Sequence, residues 1–238
     1  MYSGSAQIRN ARASIATCMQ HKIKWCYLCR STENLTRDHV PPANLFPEPR
    51  PPNLITVPCC KSCNERFSKL DEQFRAFVST PVNVSETGKV VMREKVFGGS
   101  FKKSPALKKQ MARGVFKGTV MTALGPAVMP LITMDRAVLD PFFTRLTKGL
   151  LATFYPDVDY FRQMFVVSQP NQFIAQHPRF GEVTSNLTAN ERGDGVFRFW
   201  HRVERENGNA GRWIYQFYGA ALFMVRHGEG NEGWAEIQ

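Results

Sequence analysis

Two C-x2-C pairs, Cys26/Cys29 and Cys60/Cys63, stand thirty residues apart in a chain of 238 residues. Four thiolates at this spacing offer a zinc ion the closed tetrahedral set of a structural site. A closed site has no open coordination position, so the ion takes no part in chemistry. Its binding energy holds together a loop that has little core of its own. Whatever lies between the pairs must leave the first knuckle and come back to the second. Six cysteines are too few for a disulfide scaffold in a chain of this length. Cys59 would make an x3 spacing to Cys63, so the ligand role goes to Cys60. Cys18 and His21 also have ligand spacing but lack a partner pair.

The closed loop carries the sequence's most chemical residues. Asn34–Arg37 reads as a short strand leading into Asp38-His39, and Pro41-Pro42 stops regular pairing there. The stretch from 46 to 52, FPEPRPP, has too few backbone donors for a sheet and must be loop. Asn53 then precedes a β-branched return strand, Leu54–Val57. Asn64 follows the last cysteine and opens a predicted helix to Val78, with Phe67, Leu70, Phe74 and Phe77 on one apolar face.

Two knuckles, a DH-x-x-P turn, an NL-x-x-V strand and an Asn after the last cysteine occur in one order at workable spacings. In that order, residues 24–78 resemble the HNH endonuclease family, in particular a zinc-clamped branch with Asn as its third motif residue. The resemblance covers about a quarter of the chain. It implies a ββα-metal module that hydrolyses DNA, with Asp38 and Asn64 holding a catalytic Mg²⁺ or Mn²⁺. It further implies His39 as general base and Asn53 as the brace of its loop. The residue chemistry is compatible: oxygen donors suit a hard cation, and a neutral imidazole accepts a proton near pH 7. Plainer roles exist too. His39 could be a surface residue of a Pro-rich loop, Asn53 a turn residue and Asn64 a helix cap. Asp71, two turns beyond Asn64, is expected at the surface.

A formal charge of +11 favours a polyanionic partner, nucleic acid before an anionic membrane surface. The surplus is concentrated. Between Lys89 and Lys117, Arg93, Lys95, Lys102, Lys103, Lys108, Lys109 and Arg113 face the single acid Glu94. Leu107, Met111 and Val115 recur at i, i+4 and i+8, which predicts an amphipathic helix over Lys103–Thr122 with a basic outer face. Lys102, Lys103, Lys108, Lys109 and Arg113 are read as phosphate contacts.

The remainder predicts an α+β protein: the ββα-metal module, then helices, then an antiparallel β-sheet domain. Residues 79–101 read as a strand pair or irregular segment around Thr87-Gly88. A helix over Asp135–Phe154 uses Val138, Phe142, Leu146 and Leu150, with Pro141 forcing a kink or a start near Asp140. Phe161–Val167, Val196–Glu204, Trp213–Tyr218 and Ala221–Arg226 read as strands whose aromatic residues form a core rather than a base-stacking platform. The expected segments are an arm (1–23), the module (24–80), a basic linker and helix (81–133) and an α+β domain (134–238). The longest apolar run, Val120 to Met134, is broken by Gly125, Pro126 and Pro130, and no secretory signal is visible. A cytoplasmic protein without a membrane partner is expected. DNA is the expected partner, with RNA left open and the C-terminal domain available to a protein partner or a second copy. The function expected is a metal-dependent DNA endonuclease, free or within a phage-defence or mobile-element complex. The alternative is an inactive zinc-clamped nucleic-acid-binding or scaffold module.

Overall fold

Strands β1 (Leu35–His39) and β2 (Thr56–Cys60) pair antiparallel, with Leu35 opposite Cys60 and His39 opposite Thr56. The structure is a computed structural model, and it describes residues 23–81, 83–122, 125–170, 180–205 and 209–229. The predicted arm, with Cys18 and His21, lies almost wholly outside the described residues.

The Pro-rich loop between β1 and β2 is not a mere surface excursion. It makes a short 3-10 turn at Ala43–Leu45 and buries Leu45 and Phe46 completely. The Tyr218 hydroxyl, from the far end of the chain, donates 2.6 Å to the Leu45 carbonyl. The prolines remove donors that a sheet would need, so the loop's remaining polar groups find partners in distant elements.

After β2 the chain turns directly into α1 (Lys61–Arg66) and, past Phe67, α2 (Ser68–Val78). The predicted single helix from Asn64 therefore starts three residues earlier and is broken at Phe67. The apolar face of α2 is nevertheless as expected. Phe74 is fully buried and stacks on Phe142 at 3.5 Å between centroids, with edge contacts to Phe143 and Phe217.

Two expectations for the middle of the chain fail. The segment read as a strand pair is helical: α3 (Glu86–Val91) continues as a π-helical stretch, Met92–Ser100, and a last turn, Phe101–Lys103. The Ser85 hydroxyl caps α3 by accepting from the Gly88 N–H. Gly88 is a packing glycine rather than a turn glycine, since a Cβ there would lie 2.9 Å from Cβ of Tyr218. The second failure is the long basic helix. Helix α4 covers only Pro105–Arg113, with Ser104 as its cap and proline in its first turn. Gly114 ends it, and the β-branched and aromatic run beyond forms β3 (Val115–Thr122), paired with β4 (Gly125–Ile132). Val115 thus belongs to a strand, not to the helix face.

Helix α5 (Arg136–Phe154) matches the expected Asp135–Phe154: it begins at an Asp135 cap and keeps Pro141 inside, which leaves out the alternative of a start near Asp140. It lies against an antiparallel sheet of order β5-β9-β8-β7-β6. The strands are β5 (Met164–Ser168), β6 (Thr188–Arg192), β7 (Phe197–Glu204), β8 (Ala210–Phe217) and β9 (Ala221–Gly228). The one additional helix among the described residues is the short α6 (Phe180–Thr184). Strand β6, TANER, escapes the sequence reading because it is polar and lies at the sheet edge.

One buried cluster runs through the whole assembly, from Val40 and Val57 on the hairpin through Phe74 and Phe143 to Trp213 and Phe223 of the sheet. The aromatic residues of the strands are core, as their alternation implies. Phe197, Phe199, Tyr215, Phe217 and Phe223 are fully enclosed. No described helix is long and apolar enough to cross a membrane.

Two histidines share this core. His201 stacks on Trp213 at 4.8 Å and pairs with the Tyr155 hydroxyl, and His227 pairs with Gln163. Burial holds both imidazoles down to about 4. In the unfolded chain they take up protons at about 6.5. The unfolded state therefore binds more protons between those values, and stability falls as pH drops through that window. Asp71, pushed up to about 6, works in the opposite direction, but it is one group against two. The expected outcome is a urea midpoint that declines from pH 7 to pH 5, less steeply in His201→Phe. A flat midpoint in the wild type would contradict it.

Candidate metal centre and active site

The first knuckle closes through local hydrogen bonds: Cys26 N–H to the Ser31 carbonyl at 2.7 Å and Arg30 N–H to the Cys26 carbonyl at 2.8 Å. Arg30 takes a left-handed backbone (φ 64°), which lets the chain reverse within so short a turn. Tyr27 N–H reaches the Pro58 carbonyl, fixing the knuckle against β2. Cys60 ends β2 and Cys63 follows in the first turn of α1, so one strand-to-helix junction presents both.

The four predicted ligands meet. The Sγ atoms of Cys26, Cys29, Cys60 and Cys63 all lie within 4.8 Å of one another, with Cys29 and Cys60 at 3.6 Å. Zinc bound to four sulfurs at about 2.3 Å sets them roughly 3.8 Å apart, so the group is of the right size and donor type. The Ser62 hydroxyl, followed by the Cys63 N–H, holds the Cys60 thiol down to about 6, whereas burial pushes the Cys63 thiol up. Cys59 lies near by, its sulfur 3.9 Å from that of Cys26, but it stands outside the four-ligand group. Adjacent strand residues face opposite ways, which separates Cys59 from Cys60.

The same alternation separates Asp38 from His39. Asp38 points inward and is almost fully buried. Its Oδ2 accepts from the Tyr27 hydroxyl at 2.6 Å, and its two oxygens receive the Arg145 guanidinium at 2.7, 2.9 and 3.1 Å. Arg145 comes from the middle of α5 and also donates, at 2.6 Å, to Asp71 of α2. The surface role expected for Asp71 is therefore corrected: it is a buried partner of Arg145. One guanidinium cannot neutralise two carboxylates. Asp38 takes two of its nitrogens, and burial pushes Asp71 up to about 6 in spite of the contact. Burial opposes the charge of Arg145, but Tyr27, Asp71 and Asp38 more than offset this and keep it protonated.

His39 is half-buried at the end of β1. It lines a cavity of about 10 Å³ together with Tyr27, Val40, Pro42 and Arg145. That volume is at the lower limit of what admits one water, and its lining is mostly apolar. Burial, helped by the charge of Arg50 and opposed by Asp38, holds the imidazole below its ordinary 6.5. Such a group is neutral at pH 7 and able to accept a proton.

Asn64 sits inside α1, not at its N-cap, so the capping role is excluded; the N-cap is Cys60. Its amide donates 3.1 Å to the Thr36 hydroxyl, which in turn donates to the Cys59 carbonyl. Thr36 and Asp38 share one face of β1, at i and i+2. Asn64 thus lies over the face that carries Asp38, against Thr36, which stands about 10 Å along the strand from His39. Asn53 is exposed in the turn before β2. Lys102, Lys103, Lys108, Lys109 and Arg113 are all exposed on and before α4, and none is ion-paired among the described residues.

Sequence reasoning missed Tyr27 and Arg145. A signal was present for the second: Arg145 falls between Phe142 and Leu146 on the apolar face of α5, where a charge needs a buried partner. Comparison of the chain with protein-family models, curated proteins and solved structures returned no match.

If the cysteines close around zinc, elemental analysis should find one ion per chain, and Cys63→Ser should lose both metal and cooperative unfolding. A structural zinc contributes roughly 10 kcal/mol or more to folding in small domains. Well-folded protein without zinc would refute the assignment.

Proposed function

We propose that the chain is a metal-dependent endonuclease of the HNH type that hydrolyses phosphodiester bonds in DNA. The observation that carries this reading is His39: a half-buried imidazole kept neutral at the end of a strand, beside a water-sized cavity, in a hairpin closed by four cysteines. Phosphodiester hydrolysis needs a proton acceptor for the attacking water, and a half-buried, neutral imidazole at His39 supports that role. Asn64 of α1 and Asp38 of β1 offer oxygen donors on one side of the hairpin, which suits a hard cation such as Mg²⁺ or Mn²⁺. When bound there, such an ion supplies positive charge to the phosphate oxygens. Asp38 reaches it only when Arg145 gives way, so cation and guanidinium compete for one carboxylate. The exposed cations of α4 hold the phosphate backbone. In this account the hairpin is a ββα-metal module, and its zinc is purely structural.

A second reading rests on the same Arg145. Its guanidinium already meets the negative charge of Asp38, so the hairpin is stable without a divalent ion. On that reading the chain is a zinc-clamped nucleic-acid-binding or scaffold module without activity.

Supercoiled plasmid incubated with the purified protein, with and without Mg²⁺ or Mn²⁺, separates the two. The nuclease reading predicts nicked or linear product with the metal. It predicts that His39→Ala slows single-turnover cleavage by about 10²–10⁴-fold while zinc content and DNA affinity stay unchanged. Wild-type cleavage should also fall only below pH 6.5, because the imidazole titrates lower than usual. Intact plasmid under every condition, despite DNA binding, would leave the second reading.

A further inference from the structure

The β3–β4 hairpin stands apart from the other sheets. Among the described residues its strands pair only with each other, eight residues each, and it meets the core at its root. Ile132, at that root, packs against the core with Met111 of α4. Further along, Val128 is 70% exposed. Isolated two-stranded hairpins are at best marginal in water, so an arm of this kind is expected to have something to lie against.

The two faces of the arm differ. On one, Gly118 leaves room for Leu131 and Phe116 to close over the strand; a Cβ at 118 would stand 2.5 Å from Leu131 Cδ1. On the other, Val115, Val128 and Pro130 remain open to solvent. This open face sets Lys117 and Thr119 among the apolar side chains, and its surroundings are cationic. No acidic residue occurs between Glu94 and Asp135, a stretch that contains α4 and the whole arm. Lys108, Lys109 and Arg113 precede β3 directly, and Lys117 lies on it. All four are exposed, with no ion pair among the described residues. Elsewhere many exposed arginines are paired, as with Arg30 and Asp159 or Arg205 and Asp157.

We propose that the β3–β4 arm enters a groove of duplex DNA. Its open face meets base edges and sugars while Lys108, Lys109 and Arg113 at its root hold the flanking phosphates. A two-stranded ribbon fits a major groove about 12 Å wide, and eight residues reach about 27 Å. Apolar side chains serve such a surface by contacting thymine methyl groups or wedging between base steps. The charge decides between occupants. A second copy would bring its own cluster of unpaired cations to the same place and be repelled, whereas a polyanion neutralises them.

The proposal rests on DNA as the partner but not on cleavage, so binding is measured without divalent ions, by fluorescence anisotropy on a 30-base-pair duplex. Val115→Ser with Val128→Ser changes exposed positions only. It should weaken binding about tenfold with an unchanged salt slope, since no phosphate contact is lost. Lys108→Gln with Lys109→Gln and Arg113→Gln should reduce the slope of log affinity against log salt by up to about 3 units. A photocrosslinking amino acid at position 128 of the otherwise wild-type chain should label the duplex, which covers the case of a misfolded serine variant. Unchanged affinity of a folded serine variant, with no crosslink, would overturn the proposal. So would sedimentation of the wild type as a dimer that the serine variant splits while keeping its DNA affinity; the arm would then cover a second copy. Plasmid left uncut by a protein that binds through the arm would sink the nuclease reading and leave this one standing.

Discussion

The ion cluster centred on Arg145 ties together parts of the chain that share no sequence neighbourhood. Its guanidinium reaches Asp38 on β1 and Asp71 on α2 from a helix that packs on the five-stranded sheet. Tyr27 brings the first cysteine knuckle into the same cluster through its hydroxyl. Each carboxylate is buried, and a buried charge is tolerated only when paired and hydrogen-bonded. Removing the guanidinium would leave two such charges unanswered, at a cost of roughly 3–5 kcal/mol for a broken buried pair. The cluster therefore makes the hairpin's stability conditional on α5, and the aromatic contacts of Phe74 with Phe142 and Phe143 add a second joint between the same elements.

This arrangement divides the hairpin's two faces. The inner face is held by charge, with Asp38 fixed by three donors and Asn64 tied to Thr36. His39, at the end of β1, borders the same cluster through the cavity it lines with Tyr27 and Arg145, and burial favours its neutral imidazole. In the proposed function, chemistry needs both: a proton acceptor at the end of the strand and cation-binding oxygens from the inner face beside it. Arg145 then sets the threshold at which the inner face becomes available. The substrate would be gripped elsewhere, along α4 and the β3–β4 arm, where the cations have no ion pair among the described residues and apolar side chains are left open.

Those parts of the fold were legible whose cause is local. Cysteine spacing gave the four-sulfur group, a β-branched run gave the return strand, and the short stretch before Asp38-His39 gave the first. The heptad-like face of Val138, Phe142, Leu146 and Leu150 gave α5, and alternation of aromatics gave three central strands as core. What misled the reading was local pattern with two meanings. Leu107, Met111 and Val115 fit a helical stripe, yet Gly114 stops the helix and Val115 begins a strand. Thr87-Gly88 looks like a turn, although Gly88 serves the close approach of Tyr218. For the candidate site, His39, Asn64 and the cysteines could be named in advance, but not the direction in which Asp38 points. That depends on Arg145, more than a hundred residues away, and no local rule pairs them.

The relation between Arg145 and Asp38 is most directly tested by Mn²⁺ titration followed by electron paramagnetic resonance, on zinc-loaded protein. If guanidinium and cation compete for the Asp38 carboxylate, wild-type protein binds Mn²⁺ weakly. Arg145→Gln, folded as judged by circular dichroism, should then bind it about tenfold or more tightly, because an opposing charge has been removed. Adding Asp38→Asn should abolish the gain. A folded Arg145→Gln protein that binds Mn²⁺ no better than the wild type would contradict the account, and the inner face of the hairpin would then be a structural joint alone.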